Sequence, residues 1–295
     1  MITQDQCQLA SGRTRRTAPV DAIGPELSRP VKLCLVGWGA IAQHTVQLLL
    51  ERHPETVAIS AVALRDGRKP RPALPAHAQI LNEPDDLLTI EADMVIEAAG
   101  RAAVAPWAQA ALLKGVPFLV SSTSAFCDED LLARLLRLAQ NSGGRIIVPP
   151  GALGGIDALA AAGVKNLDNV HHMIIKPVAA WRGTIAEELL DLDALTAEAT
   201  FFTGSARETA DKFPKNANAA VISAMAGAGL DRTQVSLVAD PAASRNAHRI
   251  FAAGDFGSME MRIENAALPA NPKSSEMTAL NLVRAVERQI SSLVL

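Results

Sequence analysis

Six residues, Gly37-Trp-Gly-Ala-Ile-Ala42, have the types and spacing to hold a pair of phosphates. They follow the short apolar run Val31 to Val36 and lead into an apolar segment that ends near Glu51. A strand that turns on glycine into a helix aims the first-turn amides, and the positive end of the helix dipole, at an anion. Gly37 permits the tight turn, and Gly39 lets the backbone approach a pyrophosphate with no Cβ in the way. Ala40 and Ile41 open the helix. Ala42 stands where a dinucleotide fingerprint usually has its third glycine, and is still small enough for close packing on the strand. One strand later, after Val57 to Leu64, the chain turns basic in Arg65-Asp-Gly-Arg-Lys-Pro-Arg-Pro72. An acidic residue at that strand end would bind the ribose hydroxyls of an unphosphorylated dinucleotide. Arg65 instead offers a guanidinium that can pair with a 2′-phosphate or stack on adenine. The expected cofactor is NAD or NADP, with Arg65 tolerating or favouring the latter.

The elements that would position these residues alternate. Apolar runs at Ala92 to Ala99, Val116 to Ser121 and Arg145 to Val148 read as buried parallel strands. Helical segments at Val104 to Lys114 and Asp128 to Gln140 separate them, the first stopped by Gly115. This βα alternation predicts an α/β fold, a Rossmann-type doubly wound parallel sheet over residues 31–148. Pro149-Pro-Gly-Ala-Leu-Gly-Gly155 breaks the rhythm. Beyond it, strands with alternating or mixed faces are expected at Asn169 to Lys176, Leu237 to Asp240, Ala247 to Ala253 and Ser258 to Asn265. A short helix at Ile156 to Ala162 and another at Ala217 to Ala226 accompany them. These features predict a second, α+β domain over 149–272, built on a mixed or antiparallel sheet. Residues 273–295 read as a C-terminal helix able to return to the first domain, and residues 1–30 as a polar extension.

Length and composition exclude several classes. A chain of 295 residues with 49% hydrophobic and 20% charged residues has the material for two folded domains. A net charge of −3, scarce aromatics and no tyrosine argue against nucleic-acid or membrane-surface partners. Cys7, Cys34 and Cys127 are far apart and form no CxxC pair, which fits a reducing compartment and offers no zinc site. His171 and His172 are neighbours on an expected strand, so their rings would point to opposite faces and not share a metal ion. No apolar run reaches the roughly 20 residues needed to span a bilayer. Arg13, Arg15 and Arg16 give the N-terminus a basic flavour, but acidic residues accompany them and no apolar stretch follows. The expected location is the cytoplasm.

The later motifs carry a resemblance. They are Val36-Gly-Trp-Gly-Ala-Ile41, Val148-Pro-Pro-Gly-Ala-Leu-Gly-Gly-Ile-Asp-Ala158, Gly204-Ser-Ala-Arg-Glu208 and Phe213-Pro-Lys-Asn-Ala-Asn218. Gly229-Leu-Asp-Arg-Thr233, Asp240-Pro-Ala-Ala-Ser-Arg-Asn-Ala-His248 and Asn271-Pro-Lys273 complete the set. Together they resemble the L-aspartate dehydrogenases from residue 31 onward; Ala42 departs from the usual glycine. The resemblance implies reversible hydride transfer between Cα of L-aspartate and a nicotinamide, giving iminoaspartate. That product would hydrolyse to oxaloacetate and ammonia or feed pyridine-nucleotide synthesis. The resemblance places the family's catalytic histidine on His248, and its further cofactor contacts on Ala125 and Asn218. Histidine suits removal of the proton from a substrate ammonium. Two substrate carboxylates call for cations in an enclosed site. Lys215, beside Asn216, is the first candidate, with Arg207, Arg245 and Lys176 behind it. A homodimer is expected. Two rivals stand against this reading. One is another two-domain oxidoreductase on an aspartate-derived metabolite, such as homoserine dehydrogenase or dihydrodipicolinate reductase; the other is a dinucleotide-sensing protein without turnover.

Overall fold

The computed structural model describes residues 29–67, 71, 73–214 and 216–294. Residues 1–28, which make up nearly all of the expected extension, lie outside the described residues, as do Arg68, Lys69 and Lys215.

The first half alternates as its hydrophobic runs predict. In chain order it contains β1 (Val31–Val36), α1 (Ala40–Arg52), β2 (Val57–Ala63), β3 (Gln79–Leu81) and β4 (Met94–Glu97). It continues with α2 (Arg101–Leu113), β5 (Phe118–Val120), α3 (Glu129–Ser142) and β6 (Ile146–Ile147). The six strands form one sheet in the order β3-β2-β1-β4-β5-β6, and every pairing is parallel. That order is the doubly wound one. Local chemistry sets the helix ends. Asp128 caps α3 by accepting from the Leu131 amide at 2.9 Å, Glu129 and Asp130 sit in the first turn, and Gly143 closes the helix at φ +76°.

After Pro149–Gly155 the architecture changes. Helix α4 (Ile156–Ala162) leads to β7 (Leu167–Pro177), the short α5 (Val178–Trp181) and α6 (Ala186–Leu189), and β8 (Ala199–Ser205). Then come α7 (Ala206–Lys212), α8 (Ala217–Ala226), β9 (Gln234–Asp240), β10 (Asn246–Gly254) and β11 (Gly257–Asn265). A small hairpin, β12 (Ala267–Leu268) and β13 (Asn271–Ser275), precedes α9 (Glu276–Ile290). The second sheet runs β11-β10-β7-β9-β8 and is mixed, with only β7 and β9 parallel. Helix α8 is apolar almost all round because it is covered on several sides. Ala217, Ala220, Val221, Ile222 and Ala224 are all buried.

Helix α9 returns to the first sheet. Leu282, Val283, Val286 and Ile290 pack with Leu33, Leu35, Val46 and Leu49 in one core cluster. Polar contacts tie both ends of α9 to α1. His44 Nε2 lies 3.1 Å from Glu276 Oε1, while Glu287 Oε1 accepts from Arg52 Nε at 2.8 Å and lies 3.0 Å from His53 Nε2. Burial pushes the Glu287 carboxyl up, but the bonds from His53 and Arg52 outweigh it and hold the group below the ordinary carboxylate range. A carboxyl lowered in this way stabilises the fold above its unfolded value of about 4.3, and the contribution is lost as pH falls through the folded value. Glu287→Gln is therefore expected to cost about 1 kcal/mol at neutral pH, Arg52 being half exposed and screened. Denaturant unfolding at a series of pH values should show the gap to wild type closing in acid; a constant gap would separate the loss from the charge.

Candidate active site

The C-terminal edge of the first sheet opens on a cleft of about 910 Å³. The ends of β1, β2 and β4 line it through Gly37–Gly39, Leu64–Asp66 and Ala98–Arg101. Gly37 has φ +92°, and a Cβ there would sit 2.8 Å from Ala99 Cα, so this turn needs glycine. Gly39 caps α1 with no side-chain bond to the first turn, and a Cβ placed on it meets nothing within 4 Å. The first-turn amides of α1, beginning with Ala40 and Ile41, thus receive no side-chain cap from Gly39. Ala42 is fully buried in the cluster of Leu33 and Leu35, the close packing expected of its small size. An uncapped helix start, a cradle that a Cβ would intrude on and a cleft of this size fit the pyrophosphate of a dinucleotide. Arg65 is exposed on the cleft wall, with Asp66 and Arg71 beside it.

A buried carboxylate organises the loops across the cleft. Glu97, fully buried at the end of β4, accepts from the Ala99 and Gly100 amides at 2.8 Å and the Ser122 amide at 2.9 Å. It also accepts from Ser122 Oγ at 2.8 Å and the Ser121 amide at 3.3 Å. One side chain thereby holds the start of α2 to the loop after β5. Glu97 was not among the candidates, although an acid directly after the apolar run Met94–Ile96 was a visible signal.

That loop runs into a 3₁₀ turn, Thr123–Cys127, where Ala125 is buried. Helix α8 docks on the turn through Asn218, which is itself exposed. Its Oδ1 accepts from the Ser124 amide at 3.0 Å and its carbonyl from Thr123 Oγ1 at 2.9 Å. The same helix carries Ser223, five residues or about 7.5 Å further along its axis, and Ser223 meets the buried histidine pair. His172 Nδ1 is 2.8 Å from Ser223 Oγ, and His172 Nε2 is 3.0 Å from His248 Nδ1. Register explains the meeting, since β7 and β10 pair with His248 opposite Ile174 and His172 opposite Ile250. His171 points to the other face, with Nε2 2.9 Å from Ser236 Oγ. His248 also borders a cavity of about 400 Å³ together with Leu153, Gly154, Gly155 and Ile263. Burial, and after it the charge of Lys176, pushes His248 down to about 3, so its ring is neutral at physiological pH.

The candidate cations separate in the structure. Lys176 shares the His172 face of β7 by strand parity; its ammonium donates to Asn216 Oδ1 and lies 5.0 Å from the centre of the Trp181 ring. Asn216 is buried at the start of α8. Arg207 is occupied elsewhere: it bonds Asp231 at 2.6 Å and the Cys127 carbonyl at 3.1 Å, and also pairs with Glu129. Arg245 is exposed. Lys176, a candidate behind Lys215, acts on His248 through its charge, and Arg262 lines the same cavity as His248.

A doubly wound sheet with a dinucleotide cleft, joined to a mixed-sheet layer that presents a buried neutral histidine, defines a nicotinamide-dinucleotide oxidoreductase. Residues 37–149 match the family model "Homoserine dehydrogenase, NAD binding domain", and residues 157–289 match "Aspartate dehydrogenase, C-terminal". The chain is 54% identical over 263 residues to the L-aspartate dehydrogenase of Brucella anthropi, covering 89% of this chain and 98% of that one. It is 40% identical to the L-aspartate dehydrogenase of Pseudomonas aeruginosa over 87% of this chain and 96% of that one. The crystal structure of aspartate dehydrogenase from Thermotoga maritima superposes with a TM-score of 0.71 at 26% identity, over 90% of this chain and 99% of that one. A putative homoserine dehydrogenase from Archaeoglobus fulgidus (TM-score 0.55, 16% identity) shares the fold alone, over 89% of this chain and all of that one. The chain belongs to the L-aspartate dehydrogenase family.

Proposed function

We propose that this protein oxidises L-aspartate reversibly to iminoaspartate. The observation that carries the reading is His248: a neutral, buried imidazole beside Lys176, joined through α8 to the dinucleotide cleft. A nicotinamide dinucleotide, when bound, supplies the hydride acceptor. Gly37, Gly39, Ala40 and Ile41 would hold its phosphates, Ala125 and Asn218 its nicotinamide end, and Arg65 its adenosine end. His248 takes the proton from the substrate ammonium, freeing the amine lone pair that stabilises the iminium forming at Cα. Lys176, held by Asn216, receives one substrate carboxylate, and Lys215, next in the chain to Asn216, is proposed for the other. Nicotinamide absorbance recorded with L-aspartate and each cofactor tests the reading. No aspartate-dependent rate at any pH would remove it.

The same proposal extends to the cofactor's phosphate. Arg65→Asp is expected to weaken binding of the 2′-phosphorylated dinucleotide about tenfold or more, a loss of roughly 1.4 kcal/mol or more, with little change for the unphosphorylated one. Equal losses in titrations with both would remove Arg65 from phosphate recognition. We further propose functional units at 31–148 and 149–272, completed by the helix in 273–295. The open face of the second sheet, where Met173 and Ile175 are half buried and Phe251 exposed, is proposed to pair two copies into a homodimer. Among the described residues no helix is long and apolar enough to cross a membrane. A cytoplasmic location and a supply of iminoaspartate to pyridine-nucleotide synthesis complete the proposal.

A further inference from the structure

We propose that Ser223 and His172 are positioning residues that set the tautomer of His248, leaving its Nε2 as the one ring nitrogen able to take the substrate proton. The inference rests on the role given to His248 above, and its argument is a count of hydrogens. Ser223 has a single hydroxyl hydrogen and two neighbours that could take it, a carbonyl oxygen and a ring nitrogen. Its Oγ lies 3.0 Å from the Ala220 carbonyl oxygen, as serine commonly does toward the preceding helical turn, and 2.8 Å from His172 Nδ1. Two oxygens at 3.0 Å with no hydrogen between them would face each other lone pair to lone pair. The hydroxyl therefore donates to Ala220, and Ser223 Oγ accepts from His172 Nδ1–H.

The rest follows in sequence. A neutral imidazole carries one N–H, so His172 Nε2 bears the lone pair. The atom 3.0 Å from it, His248 Nδ1, must then be the donor. His248 is left with its lone pair on Nε2. The reverse polarity, with Ser223 donating to His172, would put a hydrogen on His248 Nε2 and disable it as a base.

The chain also runs one way. It ends on a backbone carbonyl, so a proton captured at His248 Nε2 has no exit through His172 and Ser223. It must leave from the side on which it arrived. The three residues orient and hold the base rather than conduct protons, and Ser223 sits on the same helix as Asn218, which docks on the turn containing Ala125. The base and the cofactor loop therefore share a rigid support.

The test reads tautomers directly. Ring-nitrogen NMR of the free, full-length protein is expected to show both His172 and His248 protonated at Nδ1 and bare at Nε2. Ser223→Ala should release His172, populate the His248 Nε2–H form and lower kcat about tenfold or more with cofactor Kd unchanged, because a wrongly set tautomer is costly to a general base. Ser223→Thr, which keeps the hydroxyl, should retain the wild-type tautomers. His172→Gln, which keeps an acceptor for His248 Nδ1–H, should be more active than His172→Leu. A protonated His248 Nε2 in the wild type, or unchanged tautomers and kcat in Ser223→Ala, would overturn the proposal. The spectra need no substrate: the expected tautomers without any aspartate turnover would sink the aspartate reading and leave the positioning chain standing.

Discussion

His248→Ala is expected to lower kcat by about 10²- to 10⁴-fold, the usual worth of a positioned general base, while leaving cofactor Kd within about twofold. The two parts separate because His248 lies on β10, in the second sheet, whereas the dinucleotide cleft is lined by the ends of β1, β2 and β4. A base pushed down to about 3 is unprotonated throughout the neutral range, so no fraction of the enzyme waits for a proton to leave. Part of its weakness belongs to the substrate-free site. Burial is the main cause, and the Lys176 charge adds to it; a substrate carboxylate drawn to Lys176 offsets the second effect and strengthens the base as the complex forms. Pre-steady-state turnover with a separate cofactor titration checks both halves. Near-normal kcat would remove His248 from the chemistry, and a parallel loss of cofactor affinity would recast it as structural.

The second large effect falls on Glu97. Glu97→Ala removes one acceptor and strands the Ala99, Gly100 and Ser122 amides and the Ser122 hydroxyl around a fully buried position, while the Ser121 amide keeps the Glu97 main-chain carbonyl at 3.2 Å. An unsatisfied buried donor costs about 1–3 kcal/mol, so a loss of at least about 3 kcal/mol is expected even if water or local movement satisfies one of the four. Because these amides belong to the start of α2 and the loop after β5, cofactor affinity should fall with stability. Glu97→Gln, which keeps the acceptor oxygen but places an NH₂ among donors, should fall between wild type and alanine. Urea unfolding and cofactor titration read the two consequences. A Glu97→Ala protein with wild-type stability would show that the loops hold themselves.

The contrast between Glu97 and His172 shows what a single chain reveals. The parallel sheet was legible because buried strands are continuous apolar runs and their helices carry glycine or acidic punctuation. Gly37, Gly39 and Arg65 could be placed at the cleft from sequence because each belongs to one turn or one strand end. Glu97 was within reach, an isolated acid in a strand such as Met94–Glu97, but period alone gives an acid no partner. His172 was weighed only against its neighbour His171. Its actual partner, His248, lies 76 positions away and meets it through the β7–β10 register, which no spacing rule supplies. The contact of Lys176 with Asn216, 40 positions on, is hidden from the sequence for the same reason. Strand β8 and helix α7 went unassigned although Ser205-Ala-Arg-Glu208 spells a capping box. That box forms, with Ser205 Oγ accepting from the Glu208 amide at 3.1 Å and the Glu208 carboxylate from the Ser205 amide at 2.7 Å.

The return of α9 to the first sheet also governs the order in which the protein can be made. Synthesis releases the dinucleotide half first, but that half lacks Leu282, Val283, Val286 and Ile290, which close its apolar side. Until the last turns of α9 emerge, the cluster of Leu33, Leu35 and Leu49 is closed only by residues of its own half and lacks its last apolar cover. The dinucleotide half is therefore completed only by the last helix made. A single stop codon a few turns from the end would cripple the part translated first.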